Sequence, residues 1–181
     1  MKIYLNSEAF DVIKTTFPYI VDTRLSTGGG EVPTIEFKII DEDTSIDIFG
    51  VNFSPLKVEH GLVFSGNPYY CFGYRFENIS YVSDCNLIPE KTKEKIKGSS
   101  CFIVDALRWT PHLSHFSFDQ ALEEILIYRP KLSLLTDFCH RIDHFEMEST
   151  LKEWEKVHRL SVHPSFDGLV VNVDNDSYEL V

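Results

Sequence analysis

Histidine or aspartate follows four of the strands that the sequence predicts. In chain order they are His60 after strand 51–58, Asp84 after strand 79–83, Asp105 at the end of strand 101–105, and the cluster 137–144 after strand 132–136. One such residue is usually structural, but four in succession are hard to attribute to chance. In open α/β sheets, ligands bind outside the carboxyl ends of strands. Imidazole and carboxylate together suit zinc, manganese or iron, so the pattern predicts an α/β fold with a metal site.

The remaining hydrophobic and capping patterns agree with an α/β class. A capping box, Ser117 to Gln120, opens a predicted helix that runs to about Tyr128. Further predictions are a strand 3–5, a helix 7–17 capped by Ser7, strands 34–40 and 45–49 that join 51–58 in an antiparallel meander, a helix from Pro89, a helix 143–157 and a strand 169–173. We expect one domain over 1–181, because no linker or repeat interrupts the chain.

The stretch from Tyr74 to Pro89 places the Asp84 carboxylate in a defined local structure. Two short predicted strands meet at the turn residues Glu77 and Asn78, and Asp84 follows the second strand. A carboxylate costs several kcal/mol to bury unless a cation or hydrogen bonds satisfy it. Taken alone, Asp84 is more simply explained as a cap of the following turn. The other strand-end residues favour the metal-site interpretation.

Charge and cysteine content exclude several classes of protein. The 181-residue chain carries a net charge of −11, which argues against a generic binder of nucleic acid or anionic membranes. The first residues do not form a signal peptide, and no apolar run reaches the length of a membrane span. Four cysteines lie far apart without a Cys-x-x-Cys pair, which is typical of reduced core thiols. We therefore expect a cytoplasmic protein.

Two histidines lie in the loop that precedes the predicted helix 117–128. His112 is as readily a surface histidine as a functional one. His115 directly precedes the helix start and is the better functional candidate.

Five ordered motifs resemble the metallo-β-lactamase superfamily, in the branch that contains the phosphonate-pathway phosphodiesterase PhnP and its eukaryotic relatives. In chain order they are Val58-Glu-His60-Gly, Tyr81-Val-Ser-Asp84, Val104-Asp105-Ala-Leu-Arg108, Pro111-His112-x-x-His115-Phe and Cys139-His-Arg-Ile-Asp143-His144. Each motif is weak alone, but the ordered set is specific. The resemblance implies a four-layer αβ/βα sandwich with two divalent metal ions, zinc or manganese, and hydrolysis of a small phosphate ester.

The resemblance also implies roles for individual residues. His60 is expected to bind one metal, Asp84 to bridge both, and His115 to face the substrate phosphate as the catalytic residue. Asp105 is expected to orient a histidine. His112, Asp143 and His144 are expected to lie near the metals or the substrate.

Two departures from the family pattern affect the metal site. No segment contains the leading signature His-x-His-x-Asp-His, so the chain resembles the last two-thirds of the domain and lacks its N-terminal strands. We therefore expect a truncated or split protein, whose site needs a second copy or another chain. Where the family pattern has its last metal-binding histidine, after the strand 132–136, this sequence has Asp137, and His140 follows three residues later. We prefer His140 as the ligand, because a neutral imidazole suits a borderline cation.

Three functional hypotheses follow. The first is a metal-dependent phosphodiesterase, and the second is a catalytically incomplete fragment, without metal, that acts as a binding or scaffold module. The third is RNA processing, because RNase Z shares the fold. It ranks last, since the acidic chain has no basic arm for tRNA.

Overall fold

The structure is a computed structural model that describes residues 1–174 and 177–180. Contacts between residues divide the chain into two units, 1–44 and 45–181. The first unit contains strand β1 (Lys2–Leu5), helices α1 (Ser7–Thr16) and α2 (Pro18–Val21), a 3₁₀ turn (Thr23–Leu25) and strand β2 (Glu36–Ile39). The expectation of one domain over the whole chain stays a prediction.

Strand β2 pairs in parallel with β1, so the predicted meander is wrong for this strand. Lys2 lies opposite Glu36 and Leu5 lies opposite Ile39. A parallel pair needs a crossover connection, and α1 lies in that crossover. Sequence spacing alone favoured pairing with the next strand. The cap of α1 is also corrected, because the Asn6 side chain accepts the Ala9 N–H at 2.7 Å.

The second unit is built on a seven-stranded sheet in the order β3-β4-β5-β6-β7-β8-β9. Its strands are β3 (Ile46–Ile48), β4 (Val51–Leu62), β5 (Pro68–Phe76), β6 (Ile79–Val82), β7 (Cys101–Asp105), β8 (Leu132–Thr136) and β9 (Ser161–Pro164). A separate antiparallel pair consists of β10 (Val171–Asp174) and β11 (Ser177–Leu180).

Strand directions bring the candidate residues to one edge. Pairing is antiparallel from β3 to β6 and parallel from β6 to β9. Because β5 alone reverses between β4 and β6, strands β4, β6, β7 and β8 run in the same direction. Their carboxyl ends therefore meet at the same edge of the sheet, where open α/β sheets bind ligands.

Helices cover one face of this sheet. They are α3 (Glu90–Ile96), α4 (Phe118–Tyr128) and α5 (His144–His158). Their residues Ile96, Ile125 and Leu151 pack in one buried cluster with strand residues such as Val104 and Leu135. Burial of each such side chain contributes about 1.5–3 kcal/mol, so the strands that carry the site have a well-packed base.

Several local predictions are confirmed. Strands 101–105 and 132–136 have the predicted bounds, the turn Glu77–Asn78 joins β5 to β6, and the capping box at Ser117 is present. Strand β4 continues to Leu62, so His60 lies inside the strand and not after it. The sequence analysis missed β9, because a four-residue segment ending in proline gives little strand signal. It also missed β11.

The four cysteines form no disulfide; Cys85 and Cys101 are buried, whereas Cys71 and Cys139 are only partly buried, so the expected core position holds for two of them. No helix among the residues described is both long enough and apolar enough to cross a bilayer.

Candidate metal centre

The carboxyl edge of the sheet brings together side chains from four strands or the loops that follow them. His60 comes from β4, Asp84 from the segment after β6, Asp105 from the end of β7, and Asp137 directly follows β8. His115 reaches the same place from the loop before α4.

His60 is oriented by the loop that carries His115. Its Nδ1 lies 2.8 Å from the Ser114 carbonyl oxygen, which accepts only if Nδ1 carries the proton. Nε2 then keeps its lone pair for a metal ion. The next residue, Gly61, has a φ of +85°, and an added Cβ would lie 3.0 Å from the Ser114 side chain. Its N–H is held by the Asn86 side chain at 2.8 Å.

The Asp84 carboxylate lies two residues beyond β6. Oδ2 accepts a hydrogen bond from the Ser83 hydroxyl at 2.6 Å. Its backbone oxygen accepts from the Cys71 thiol at 3.1 Å, which ties this segment to β5. Burial raises the pKa of the Cys71 thiol to about 11, and the Asp84 charge adds to that rise.

His115 lies between two carboxylates. Its Nδ1 is 2.9 Å from Asp105 Oδ2 and 3.2 Å from Asp137 Oδ2. Both carboxylate oxygens are acceptors, so Nδ1 carries a proton and Nε2 is left for a metal ion or a substrate. The His115 ring centroid lies 4.7 Å from that of His60, edge to face.

Asp105 is fully buried and holds this loop in place. Its Oδ2 accepts the N–H groups of Cys85 at 3.0 Å and Phe116 at 3.4 Å, in addition to the His115 contact. Burial raises its pKa to about 8, although the Cys85 N–H opposes the rise. Oδ1 has no hydrogen-bond partner among the residues described.

Asp137 has a left-handed backbone, with a φ of 66°. This conformation turns the chain directly after β8, and Asp tolerates it better than most residues. Its side chain is 42% exposed, and burial of the remainder raises the pKa of the carboxyl, as does the Asp84 charge.

Two groups of histidine and aspartate side chains in the described part of the chain are close enough together to hold a divalent cation, although in the second group His115 Nδ1–H already contacts both carboxylates. His60, Asp84 and His115 form the first, and Asp105, His115 and Asp137 form the second, each with its donor atoms within 4.8 Å of one another. Imidazole and carboxylate donors suit zinc, manganese or iron. The two groups share His115, so the structure is compatible with His115 either as a ligand or as a group that faces the substrate.

Four other predicted site residues lie outside these groups. His140 is exposed in a turn after β8, while Asp137 lies in the second group. Asp143 caps α5 by accepting the Glu146 N–H at 2.9 Å. His144 begins α5, and its ring contacts aromatic neighbours. The His112 ring centroid is 5.3 Å from that of His115, and its pKa is lowered by burial and by the Arg108 charge.

The sequence analysis missed three groups that position these side chains. They are the Ser114 carbonyl, the Asn86 side chain and the Cys85 N–H. Backbone donors and acceptors leave no residue-type signal, and only the adjacency of Ser114 to His115 could have pointed to one of them.

Comparison with known proteins identifies the family and the fold. The family model of a beta-lactamase superfamily domain matches residues 1–138. A diphosphatase from the PhnP family is 25% identical with a TM-score of 0.74, and the alignment covers 93% of this chain and 56% of that chain. No curated protein matches significantly.

Two further structures resemble the fold. YhfI from Bacillus subtilis, a metallo-beta-lactamase fold protein, is 13% identical with a TM-score of 0.60, covering 92% of this chain and 63% of that chain. Zn²⁺-bound PqqB from Methylobacterium extorquens is 11% identical with a TM-score of 0.67, covering 92% and 64%. This chain thus spans 56–64% of the three similar proteins.

The predicted α/β fold class is confirmed. The ordered motifs and the family match agree with one another. The chain belongs to the metallo-β-lactamase superfamily, and within it the chain is PhnP-like.

Proposed function

We propose that this chain carries part of the active site of a metal-dependent phosphodiesterase that cleaves a small phosphate diester. The position of His115 carries the proposal, because Asp105 holds Nδ1 and leaves Nε2 available, and a ring nitrogen of His115 lies within 4.8 Å of donor atoms of His60 and Asp84. The 25% identity to a PhnP-family diphosphatase supports the phosphate chemistry.

The residues that would hold divalent ions are His60, Asp84 and Asp137, with His140 as the other predicted ligand. Bound divalent ions supply Lewis-acid activation of the water and of the phosphate ester. Asp84 would supply carboxylate oxygens to both ions, as the family resemblance implies.

In the proposed reaction His115 is the general acid, and Asp105 positions it. With both ring nitrogens protonated, His115 donates the Nε2 proton to a phosphate oxygen or to the departing alcohol. Its Nδ1–H keeps the hydrogen bond to Asp105. Hydrolysis forms one new P–O bond from water and breaks the P–O bond to the leaving alkoxide. The alkoxide takes the Nε2 proton of His115, and the proton released by the attacking water restores His115 for the next turnover. Asp105 acts only by positioning the imidazole.

Metal content is the first test. Protein purified without chelators should contain zinc, manganese or iron in near-stoichiometric amount by plasma mass spectrometry. Asp84→Asn removes a charged donor and should lower that content at least tenfold, by analogy with other changes around metal sites. Asp119→Asn changes an exposed carboxylate on α4 and should leave it unchanged. A wild-type chain without metal would contradict the proposal.

Hydrolysis of bis-p-nitrophenyl phosphate with added manganese or zinc tests the chemistry. His115→Ala should lower kcat by roughly 10²–10⁴-fold, which is the range for loss of a general acid. His158→Ala, at the end of α5, is the matched histidine control. Absence of wild-type hydrolysis would refute the proposal for this chain alone.

A non-catalytic binding or scaffold role is the second candidate. Each donor group found in the described residues supplies three ligands, and the two groups share His115. The sequence contains no His-x-His-x-Asp-His segment that would add more. A purified wild-type chain that holds no metal and hydrolyses no diester would favour this candidate.

A further inference from the structure

His112 closes a tight turn in the loop that carries Ser114 and His115. Its Nδ1 lies 3.3 Å from the Ser114 backbone nitrogen and 3.3 Å from the Ser114 Oγ. A backbone N–H can only donate, so Nδ1 accepts and the neutral ring carries its proton on Nε2. Asn and Asp side chains bind the N–H two residues further on in the same way when they form Asx turns. His112 thus takes the place of an Asx residue in this turn.

The Arg108 side chain fixes the backbone immediately before His112. The loop starts where the Phe118 N–H donates to the Arg108 carbonyl at 2.9 Å. The Arg108 guanidinium then donates from Nε to the Thr110 carbonyl at 3.0 Å and from Nη2 to the Pro111 carbonyl at 2.5 Å. The His112 ring is therefore presented to Ser114 from a segment that is itself held by hydrogen bonds.

Ser114 connects this turn to the candidate metal centre. Its carbonyl oxygen accepts from His60 Nδ1 at 2.8 Å. His115, the next residue, is held separately, because its Nδ1 lies against the carboxylates of Asp105 and Asp137. A displacement of the Ser114 backbone should therefore disturb His60 more than His115.

We propose that His112 is a positioning residue of the metal centre, whose Nδ1 fixes the Ser114 backbone so that the Ser114 carbonyl keeps the His60 proton on Nδ1 and leaves Nε2 for the metal. The inference rests on the proposed function for the role of His60 as a metal ligand. It assigns to His112 a task that depends on its Nδ1 and not on contact with the substrate.

Asparagine and glutamine at position 112 separate the roles of the two ring nitrogens. The Oδ1 of asparagine takes the place of Nδ1 and can accept the Ser114 N–H. The amide nitrogen of glutamine takes the place of Nε2 and can donate to a substrate, but glutamine has no acceptor at the position of Nδ1. His112→Ala removes both groups. Leu113→Ala is the matched control, because this side chain belongs to the same turn and is 88% exposed.

Nitrogen-15 NMR of the imidazole rings tests the inference without metal or substrate. In the wild-type chain, freed of metal with a chelator, His60 should be a single Nδ1–H tautomer. His112→Asn and Leu113→Ala should keep that tautomer, whereas His112→Ala and His112→Gln should give a mixture with the Nε2–H form. If His112→Ala does not fold, His112→Gln provides the same comparison. A His60 ring that stays entirely in the Nδ1–H form in these two variants would overturn the inference.

Titration with zinc against a chromogenic chelator measures the consequence for metal binding. His112→Ala and His112→Gln should raise the Kd for zinc about tenfold, the lower end of the range for groups that orient metal-binding histidines. His112→Asn and Leu113→Ala should keep the wild-type Kd. Equal losses in His112→Asn and His112→Ala would contradict a role for Nδ1. A wild-type chain that binds no zinc would refute the proposed metal centre, and the NMR comparison would still decide whether His112 orients His60.

The metal dependence of hydrolysis separates positioning from substrate contact. With bis-p-nitrophenyl phosphate, His112→Ala should need about tenfold more zinc for half-maximal rate, while kcat and KM at saturating zinc should match the wild type. A kcat that stays low at saturating zinc in His112→Ala and His112→Asn, but not in His112→Gln, would show that Nε2 contacts the substrate and would overturn the inference. Absence of hydrolysis by the wild type, together with the expected tautomers, would refute the proposed function and support the positioning of His60.

Discussion

At the scale of single residues, the candidate site depends on which nitrogen of each histidine carries the proton. His60 donates a hydrogen bond from Nδ1–H to a backbone carbonyl, and His115 donates one from Nδ1–H to the buried side chain of Asp105. Both rings are thereby fixed with Nε2 available for binding. The loop from Ser114 to Phe116 couples the two, because Ser114 holds one histidine and its neighbour is the other.

Asp105 should make the stability of the metal-free chain depend on pH. Its folded-state pKa of about 8 lies above its ordinary value of 3.8, so the unfolded chain loses this proton first as the pH rises. Its contribution to stability is fully present below pH 3.8 and is lost as the pH rises toward about 8. Urea unfolding at pH 5 and pH 7 should show a smaller decrease in stability for Asp105→Asn than for the wild type.

The exposed carboxylate of Asp119 supplies the control for this measurement. Asp119→Asn should reproduce the wild-type change between the two pH values. An Asp105→Asn protein with the wild-type pH dependence would show that this carboxyl is ionised in the folded state.

At the scale of secondary structure elements, close contact between β5 and β6 leaves no room for a side chain at Gly73. An added Cβ would lie 2.5 Å from the Tyr81 carbonyl oxygen and 2.9 Å from a Val82 methyl group. Gly73→Ala should therefore lower the free energy of unfolding by about 1–3 kcal/mol in chemical denaturation, as overpacking does. Gly29→Ala meets nothing within 4 Å and should have little effect. Equal stability of both variants would contradict the packing argument.

Substitution of Asp143, which caps α5, distinguishes a structural role of this residue from a role at the metal site. Asp143→Ala removes the acceptor of the Glu146 N–H and should cost about 1 kcal/mol of stability by thermal unfolding. Metal content should stay at the wild-type level, because Asp143 lies outside both donor groups. Asp143→Ser should restore most of the stability. Loss of metal in Asp143→Ala would instead support the role that the family resemblance implies.

At the scale of the whole molecule, the chain is acidic, with a net charge of −11. Binding to nucleic acid depends on basic groups that replace condensed counterions on the phosphates. We therefore expect no shift of tRNA in a gel assay at about 0.15 M salt with micromolar protein, with a basic tRNA-binding protein as the positive control. Tight binding at that salt concentration would revive the RNA-processing hypothesis.

The sequence by itself determined the elements whose signals are local. Short apolar runs predicted the strands 101–105 and 132–136 with the bounds that the structure has. The residue types at the helix start predicted the cap at Ser117. The order of the strand-end motifs also pointed to the superfamily that the comparisons establish. These signals are readable because hydrophobic periodicity and capping act between residues close in sequence.

Only the tertiary structure decided which strands pair and which groups meet. The parallel pairing of β1 with β2, the placement of Asp137 and not His140 beside His115, and the Ser114 contact to His60 all join residues through the folded sheet. The predicted roles of the site residues stay predictions. Sequence could not supply this geometry, because strand direction and the left-handed turn at Asp137 are set by long-range packing and hydrogen bonding.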